Sequence, residues 1–392
     1  MKLRPIYITD VNIYTESEIV FGGSIFLENG LITNIYVKGK HPKSLPRNTQ
    51  IIQGKGLNVI PGFIDGHIHG AAGADVMDAS FSALDRITST LPREGTTSFL
   101  ATTITHSSKR ISKALQTVAA YRDSPGHAEV IGVHLEGPFI EASKAGAQPI
   151  QYIKKPHVQL FNEWQQIANN QIKIITLAPE HDRDGTFIQK ISNQGVIVSA
   201  GHSAVTFEGM KAAINHGVSH VTHLCNGMSG IHHRDIGLVG AALMFENLFS
   251  ELIVDGIHVS PEMVQLIYKN VGSKRLMLIT DGIRAKYLQQ GTYDLAGQML
   301  TLSNERATLK DGTLAGSIIK MDEAAQQMIT ITGASLTEII QMTSTNLAKQ
   351  LGIFSEKGSI SVGKDADILL VDDSLRLKLT ICRGVIAHRE EN

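Results

Sequence analysis

The chain of 392 residues lacks several features that would point to particular classes of work. It has two cysteines, Cys225 and Cys382, far apart in sequence, so no disulfide framework holds it and both are read as reduced thiols. It has almost no net charge, −1 at neutral pH, and so no global field to hold nucleic acid or an anionic membrane surface. Any preference for phosphate must be local. No run approaches the length needed to span a bilayer, and the N-terminal stretch MKLRPIYITDVNIYTESEI lacks the continuous apolar core of a signal peptide. A cytoplasmic protein with neither a nucleic-acid nor a membrane partner is expected. No glycine-rich loop of the GxGxxG or GxxxxGK type opens a helix.

With 42% apolar and 19% charged residues, the chain can bury a large core and divide into two domains. Up to about Asn58, short β-branched stretches such as IYITDVNIY and GSIFLENGLITNIYV alternate with glycine and asparagine turns, the pattern of a meandering antiparallel sheet. After a glycine-rich junction at Lys357 to Lys364, the closing segment DADILLVDDSLRLKLTICRGVIAHRE returns to that pattern. Residues 1–58 and 358–392 are therefore expected to form one small β-sandwich domain, enclosing a larger domain at 59–357.

In the larger domain eight short apolar runs recur, each followed by polar residues and a helix-patterned segment. They are NVIPGFIDGHIH, TTSFLATTIT, EVIGVHLEG, IKIITLAP, GVIVSAGH, SHVTHLCN, SELIVDGIH and RLMLITDG. Eight strands that are apolar on both faces suit a closed parallel (β/α)8 barrel, with an open doubly wound sheet as the alternative. Chelating residues gather at the C-terminal ends of the runs, where barrel enzymes carry their active sites.

His67 and His69 are two apart on a strand, so they project to one face about 7 Å from each other. A lone pair of strand histidines is equally consistent with a structural role. Glu136 closes its run just before Gly137 and Pro138 turn the chain; taken alone it is either a functional group or a solvated rim residue. His134 lies deeper on the same face and reads as a packing residue or a brace for a ligand. His202 and His223 again stand at strand ends. Together these five potential ligands on four strands point to a metal site. Cys225 and His220 flank His223; Cys225 is either a further ligand or a small buried thiol. Asp281 ends the eighth run, where it either caps the Asp-Gly turn or serves as a general base beside a metal ion that lowers the pKa of water toward ~7.

The HxH pair on run one, Glu on three, His on five and six and Asp on eight resemble the amidohydrolase superfamily. More narrowly, HLEGPF, GHS, THLCNGM, DGIH, ITDG, LAGS and VGKDADILLVD resemble the N-acetylglucosamine-6-phosphate deacetylases over nearly the whole chain. That resemblance implies that Glu136, His202 and His223 bind a principal divalent ion, with His67 and His69 able to hold a second. Zinc, iron, manganese and cobalt all suit such ligands. It also implies that Arg234 and His258 bind the sugar phosphate. Asn226, Gly227, Ala147 and Gln148 would add contacts, and the loop Leu314, Ala315, Gly316 would lie over the sugar. The family arginine can reach across a dimer interface, so a homodimer is implied.

Two departures from the family pattern stand out. Gln148 replaces a histidine that helps polarise the acetyl carbonyl, and it can donate a hydrogen bond but carries no charge. Gly227 stands where alanine is usual. The expected reaction is hydrolysis of the acetamide to acetate and glucosamine 6-phosphate, with Asp281 moving the proton. Three other readings remain: the galactosamine epimer as substrate, a cyclic amidase, and a sugar-phosphate binder without turnover. A cyclic amidase of the dihydroorotase type would carry a carboxylated lysine at the end of strand four, whereas Lys173 stands at the beginning of IKIITLAP.

Overall fold

The computed structural model describes residues 3–303 and 306–390. Eight parallel strands follow one another in chain order: Phe63–Ile68, Thr96–Thr103, Glu129–Glu136, Ile172–Leu177, Ile197–Ala200, Val218–Val221, Phe249–Leu252 and Leu276–Leu278. Nearly all their residues are buried, because side chains fill the interior and helices cover the outside. The ring closes just past the eighth strand. Asp281 N–H donates to the His67 carbonyl at 2.8 Å, and the N–H groups of His69 and Gly70 donate to the Gly282 carbonyl at 2.8 and 2.9 Å. This closure excludes the open doubly wound alternative, and it sets Asp281 against the HxH strand.

The covering helices are started and stopped by local chemistry. Thr206 caps Phe207–His216 by accepting from Gly209 N–H, and Gly217 ends that helix. Ser260 caps Pro261–Val271, with proline at its first position where no N–H is needed. Such caps contribute about 1 kcal/mol each.

The first apolar run is two strands rather than one. Asn58–Pro61 pairs antiparallel with Ile368–Val371 in a second sheet, and the barrel strand begins at Phe63. Gly62 makes the crossing, since a Cβ there would lie 2.1 Å from Thr97 Oγ1. The second sheet joins strands from both ends of the chain, including Ile6–Tyr14, Ile19–Glu28, Leu31–Tyr36 and Leu377–Cys382. Its core includes Ile8, Ile13, Ile25, Val59, Ile368 and Ile381. It is not purely antiparallel as the meander pattern suggests. Gln50–Gln53 and Asn58–Pro61 both run parallel to Ile6–Tyr14, because the irregular segment 37–49 carries the chain back before it pairs again. The ends of the expected small domain, 1–2 and 391–392, lie outside the described residues.

Lys357 ties the two sheets together. Its buried ammonium lies 2.7 Å from Glu129 in the barrel, and 2.7 and 2.6 Å from Asp365 and Asp367 at the approach to the second sheet. A further three-stranded sheet, Gly291–Leu295, Gln298–Ser303 and Arg306–Leu309, follows the eighth barrel strand and has no counterpart among the sequence expectations. Gln298 Nε2 donates to the Ala147 carbonyl at 2.8 Å, so this sheet rests on the loop that carries Gln148.

Candidate metal centre

The strand ends carry their side chains over the barrel mouth through unusual backbone. His202, His223 and Asp281 have φ of 46°, 30° and 46°, the left-handed region that costs a non-glycine residue about 1–3 kcal/mol. Three such residues at equivalent strand ends mark a site the surrounding fold holds in place. Glu136 is followed by Gly137 at φ 70°, where a Cβ would meet Thr105 Oγ1 at 2.1 Å.

Glu136 stands at the centre. Its Oε1 lies 3.0 Å from His202 Nε2 and 3.1 Å from His223 Nε2, and those two nitrogens are 3.2 Å apart. Four-coordinate ligands at bond lengths near 2.0–2.1 Å have edges of about 3.3 Å, so this triangle is sized for a divalent ion. The protonation pattern agrees. His202 Nδ1 donates to the Lys144 carbonyl at 2.8 Å, which leaves the Nε2 lone pair aimed at a carboxylate oxygen. That contact is repulsive unless a cation or proton lies between them.

The other oxygen, Glu136 Oε2, lies 3.4 Å from His69 Nε2. His69 Nε2 is in turn 3.2 Å from Asp281 Oδ1, and His67 Nε2 is 3.5 Å from both Asp281 Oδ1 and Glu136 Oε1. His67 Nε2 is buried without a hydrogen-bond partner, as a ligand nitrogen would be. Glu136 therefore reaches two adjacent ligand groups, Glu136–His202–His223 and His67–His69–Asp281.

The electrostatics follow from three carboxylates, Glu136, Glu251 and Asp281, and five imidazoles in one buried volume. Burial disfavours the charge on His67, but Glu251, Glu136 and Asp281 outweigh it and raise that imidazole to about 9. His69 and His202 are raised by the carboxylates they face, again against burial. Burial would raise Asp281, yet His67 and His69 draw it down to about 2. His134 is pushed by burial down to about 4; its Nδ1 donates to the Gly66 carbonyl at 3.0 Å and its Nε2 accepts from Thr176 at 2.6 Å. It packs beneath the centre.

One cavity opens onto these groups. It is lined by His69, Glu136, His202, His223 and Asp281 and also by Ala147, Gln148, Asn226, Gly227, His258, Leu314 and Gly316. His258 Nδ1 donates to Asp255 Oδ2 at 2.6 Å. Gly227, at φ 57°, permits the close packing of His202, since a Cβ there would lie 3.0 Å from His202 Nδ1. Ala315 is buried behind the lining and bonded to the Ala307 carbonyl. Arg234 is not brought in: it is exposed, with Nη1 2.7 Å from His233 Nε2, and lines no part of the cavity. Cys225 joins none of the ligand clusters among the described residues, and both cysteines are free thiols.

Sequence reasoning missed Glu251 and Asp255. The signal for Glu251 was a charged residue near the start of an otherwise apolar barrel run. Asp255 stands three residues before His258, the spacing of a local brace. The cavity also uses Ile104, Ile283, Leu295 and Thr313, which carry no chemical signature.

A model of the amidohydrolase family matches residues 58–387. The chain belongs to the amidohydrolase family. Members of this family are generally metal-dependent, and the clusters described above supply suitable ligands. The chain is similar to an N-acetylglucosamine-6-phosphate deacetylase of Bacillus subtilis (strain 168), 47% identical over 97% of this chain and 96% of that one. An N-acetylgalactosamine-6-phosphate deacetylase of Escherichia coli O157:H7 is 34% identical over 83% of this chain and 87% of its own. Among solved structures, an N-acetylglucosamine-6-phosphate deacetylase from Thermotoga maritima superposes with a TM-score of 0.85 at 32% identity, covering 98% of this chain and all of that one. No helix among the described residues is long and apolar enough to cross a membrane.

Proposed function

We propose that this amidohydrolase hydrolyses the acetamide of N-acetylglucosamine 6-phosphate, giving acetate and glucosamine 6-phosphate, in amino-sugar catabolism and the recycling of cell-wall sugars. The observation that carries this reading is the convergence of Glu136, His202 and His223 beside Asp281 in one cavity, in a chain 47% identical to a deacetylase of that substrate.

Glu136, His202 and His223 hold the principal divalent ion, and His67 and His69 hold a second. A bound ion supplies Lewis acidity, polarising a carbonyl and lowering the pKa of water toward ~7. Zinc, iron, manganese or cobalt satisfies these ligands.

Asp281 is ionised at neutral pH and takes the proton of the attacking water. It then returns that proton to the leaving amine, which must be protonated to depart. Gln148 aims its side-chain amide at the centre and donates to the acetyl oxygen as negative charge develops there. His258, oriented by Asp255, faces the phosphate, with Asn226 and Gly227 beside it. Leu314, Ala315 and Gly316 form the loop over the sugar. Remote phosphate contacts of this kind orient the reacting amide and lower the entropic part of the barrier. Arg234, exposed on its own chain, reaches the phosphate of a partner copy in a homodimer; its planar fork suits phosphate oxygens. The enzyme works in the cytoplasm.

Acetate release from N-acetylglucosamine 6-phosphate, run beside the unphosphorylated sugar, tests this reading. Turnover confined to the phosphorylated sugar is expected; equal rates on both would remove the phosphate pocket from the account. The E. coli relative supports a second reading, the galactosamine epimer, and the same assay with that sugar phosphate separates the two.

A further inference from the structure

Glu251 has no part in the reaction described above, yet it is the third buried carboxylate at the centre. Its side chain is 2% exposed, with Oε2 3.0 Å from His67 Nδ1 and 3.3 Å from the backbone nitrogen of His223. Oε1 lies 3.7 Å from His134 Nδ1. A carboxylate is costly inside a barrel unless something there needs its charge.

A third ion held by His67, His134 and Glu251 would be one use, since their ligand atoms are close enough. The hydrogen bonds exclude it. The Gly66 carbonyl can only accept, so His134 Nδ1 carries a proton, and His134 Nε2 takes the Thr176 hydroxyl. Neither nitrogen of His134 is free to bind metal. His67 Nδ1 is likewise occupied, donating to Glu251.

We propose that Glu251 is the positioning residue for His67 and decides how tightly the His67–His69 position holds its ion. By accepting the Nδ1 proton it leaves Nε2, which faces Glu136 Oε1 and Asp281 Oδ1 at 3.5 Å each, as the nitrogen that gives up its proton when a cation binds. A carboxylate on the far nitrogen also makes the imidazole a stronger donor to metal, and its negative charge offsets the second cation. The effect is selective. His202 has its own brace in the Lys144 carbonyl, and Glu251 reaches His223 only through the backbone nitrogen. Losing the charge of Glu251 therefore weakens the His67–His69 position far more than the Glu136–His202–His223 position.

This inference rests on the reading that His67 and His69 hold a second ion, and the experiment separates the two. Zinc binding to the full-length chain is measured by competition with a chromophoric chelator for wild type, Glu251→Gln, His67→Asn and the double variant. Metal-free thermal unfolding checks that each is folded. Glu251→Gln keeps the shape and one acceptor while removing the charge, and Glu251→Asp serves if it does not fold. Wild type is expected to bind two zinc ions in distinguishable steps. Glu251→Gln should weaken one step by about 10- to 100-fold and leave the other nearly unchanged. Once His67→Asn has removed the weaker step, Glu251→Gln should add nothing further. Equal weakening of both steps, or a further loss in the His67→Asn background, would overturn the proposal. A wild type that binds a single ion would refute the two-ion reading itself, and the inference with it.

Discussion

Gln148 donates from Nε2 to Glu136 Oε2 across 2.5 Å, while its own carbonyl oxygen accepts the Thr105 N–H at 2.8 Å. The backbone donor settles which way the amide points, because only the oxygen can accept from it. Nitrogen faces the centre, and Nε2 has no second hydrogen-bond partner among the described residues. If its second N–H supports the developing oxyanion, Gln148→Ala lowers kcat by about 10²- to 10³-fold with a smaller change in KM. Steady-state kinetics read the split, and a loss confined to KM would assign Gln148 to binding instead.

Asp281 is held against the HxH strand by the closure of the barrel, with Oδ1 3.2 Å from His69 Nε2. An amide at that position keeps the shape but accepts no proton at neutral pH. Asp281→Asn is expected to lower kcat by about 10²- to 10⁴-fold while the Glu136–His202–His223 position stays loaded. Turnover near wild type in a variant shown to carry its metal would remove Asp281 from the chemistry.

A phosphate held by His258, as proposed, would give substrate binding a pH dependence. Burial lowers its affinity for a proton, but the hydrogen bond from Nδ1 to Asp255 outweighs this and raises its pKa above the ordinary imidazole range. The ring is cationic below that raised pKa and neutral above it. A phosphate monoester is already dianionic there, its second pKa being about 6. KM for the phosphorylated sugar should therefore rise as pH climbs through the His258 titration. A charge-assisted hydrogen bond of about 1.5–3 kcal/mol predicts a rise of roughly 10- to 100-fold. In His258→Gln the profile should be flat; an unchanged slope would place the titrating group elsewhere.

How far the sequence reveals this protein depends on where its signals lie. The eight barrel runs were legible because strands buried on both faces are short and apolar. His67, His69, Glu136, His202, His223 and Asp281 were legible because polar residues at their ends break that pattern. Glu251 was not, because a lone charge near the start of a run reads like a solvated strand end until the fold places it beneath His67. The three-stranded sheet after Leu278 was missed because its strands, such as GTYDL and RATL, are short and half-exposed. The parallel pairs in the second sheet escaped because strand direction depends on the path of the irregular segment 37–49, which carries no periodicity. Arg234 is expected on resemblance alone, and in a single chain it stands clear of the cavity.

The most direct measurement is acetate release from N-acetylglucosamine 6-phosphate by protein stripped of metal with a chelator, followed by titration with zinc, manganese, iron or cobalt. Turnover should vanish on stripping and return on adding back a divalent ion. Full turnover by protein verified to be metal-free would contradict the account at its centre, because Glu136, His202 and His223 would then have no ion to hold during the reaction.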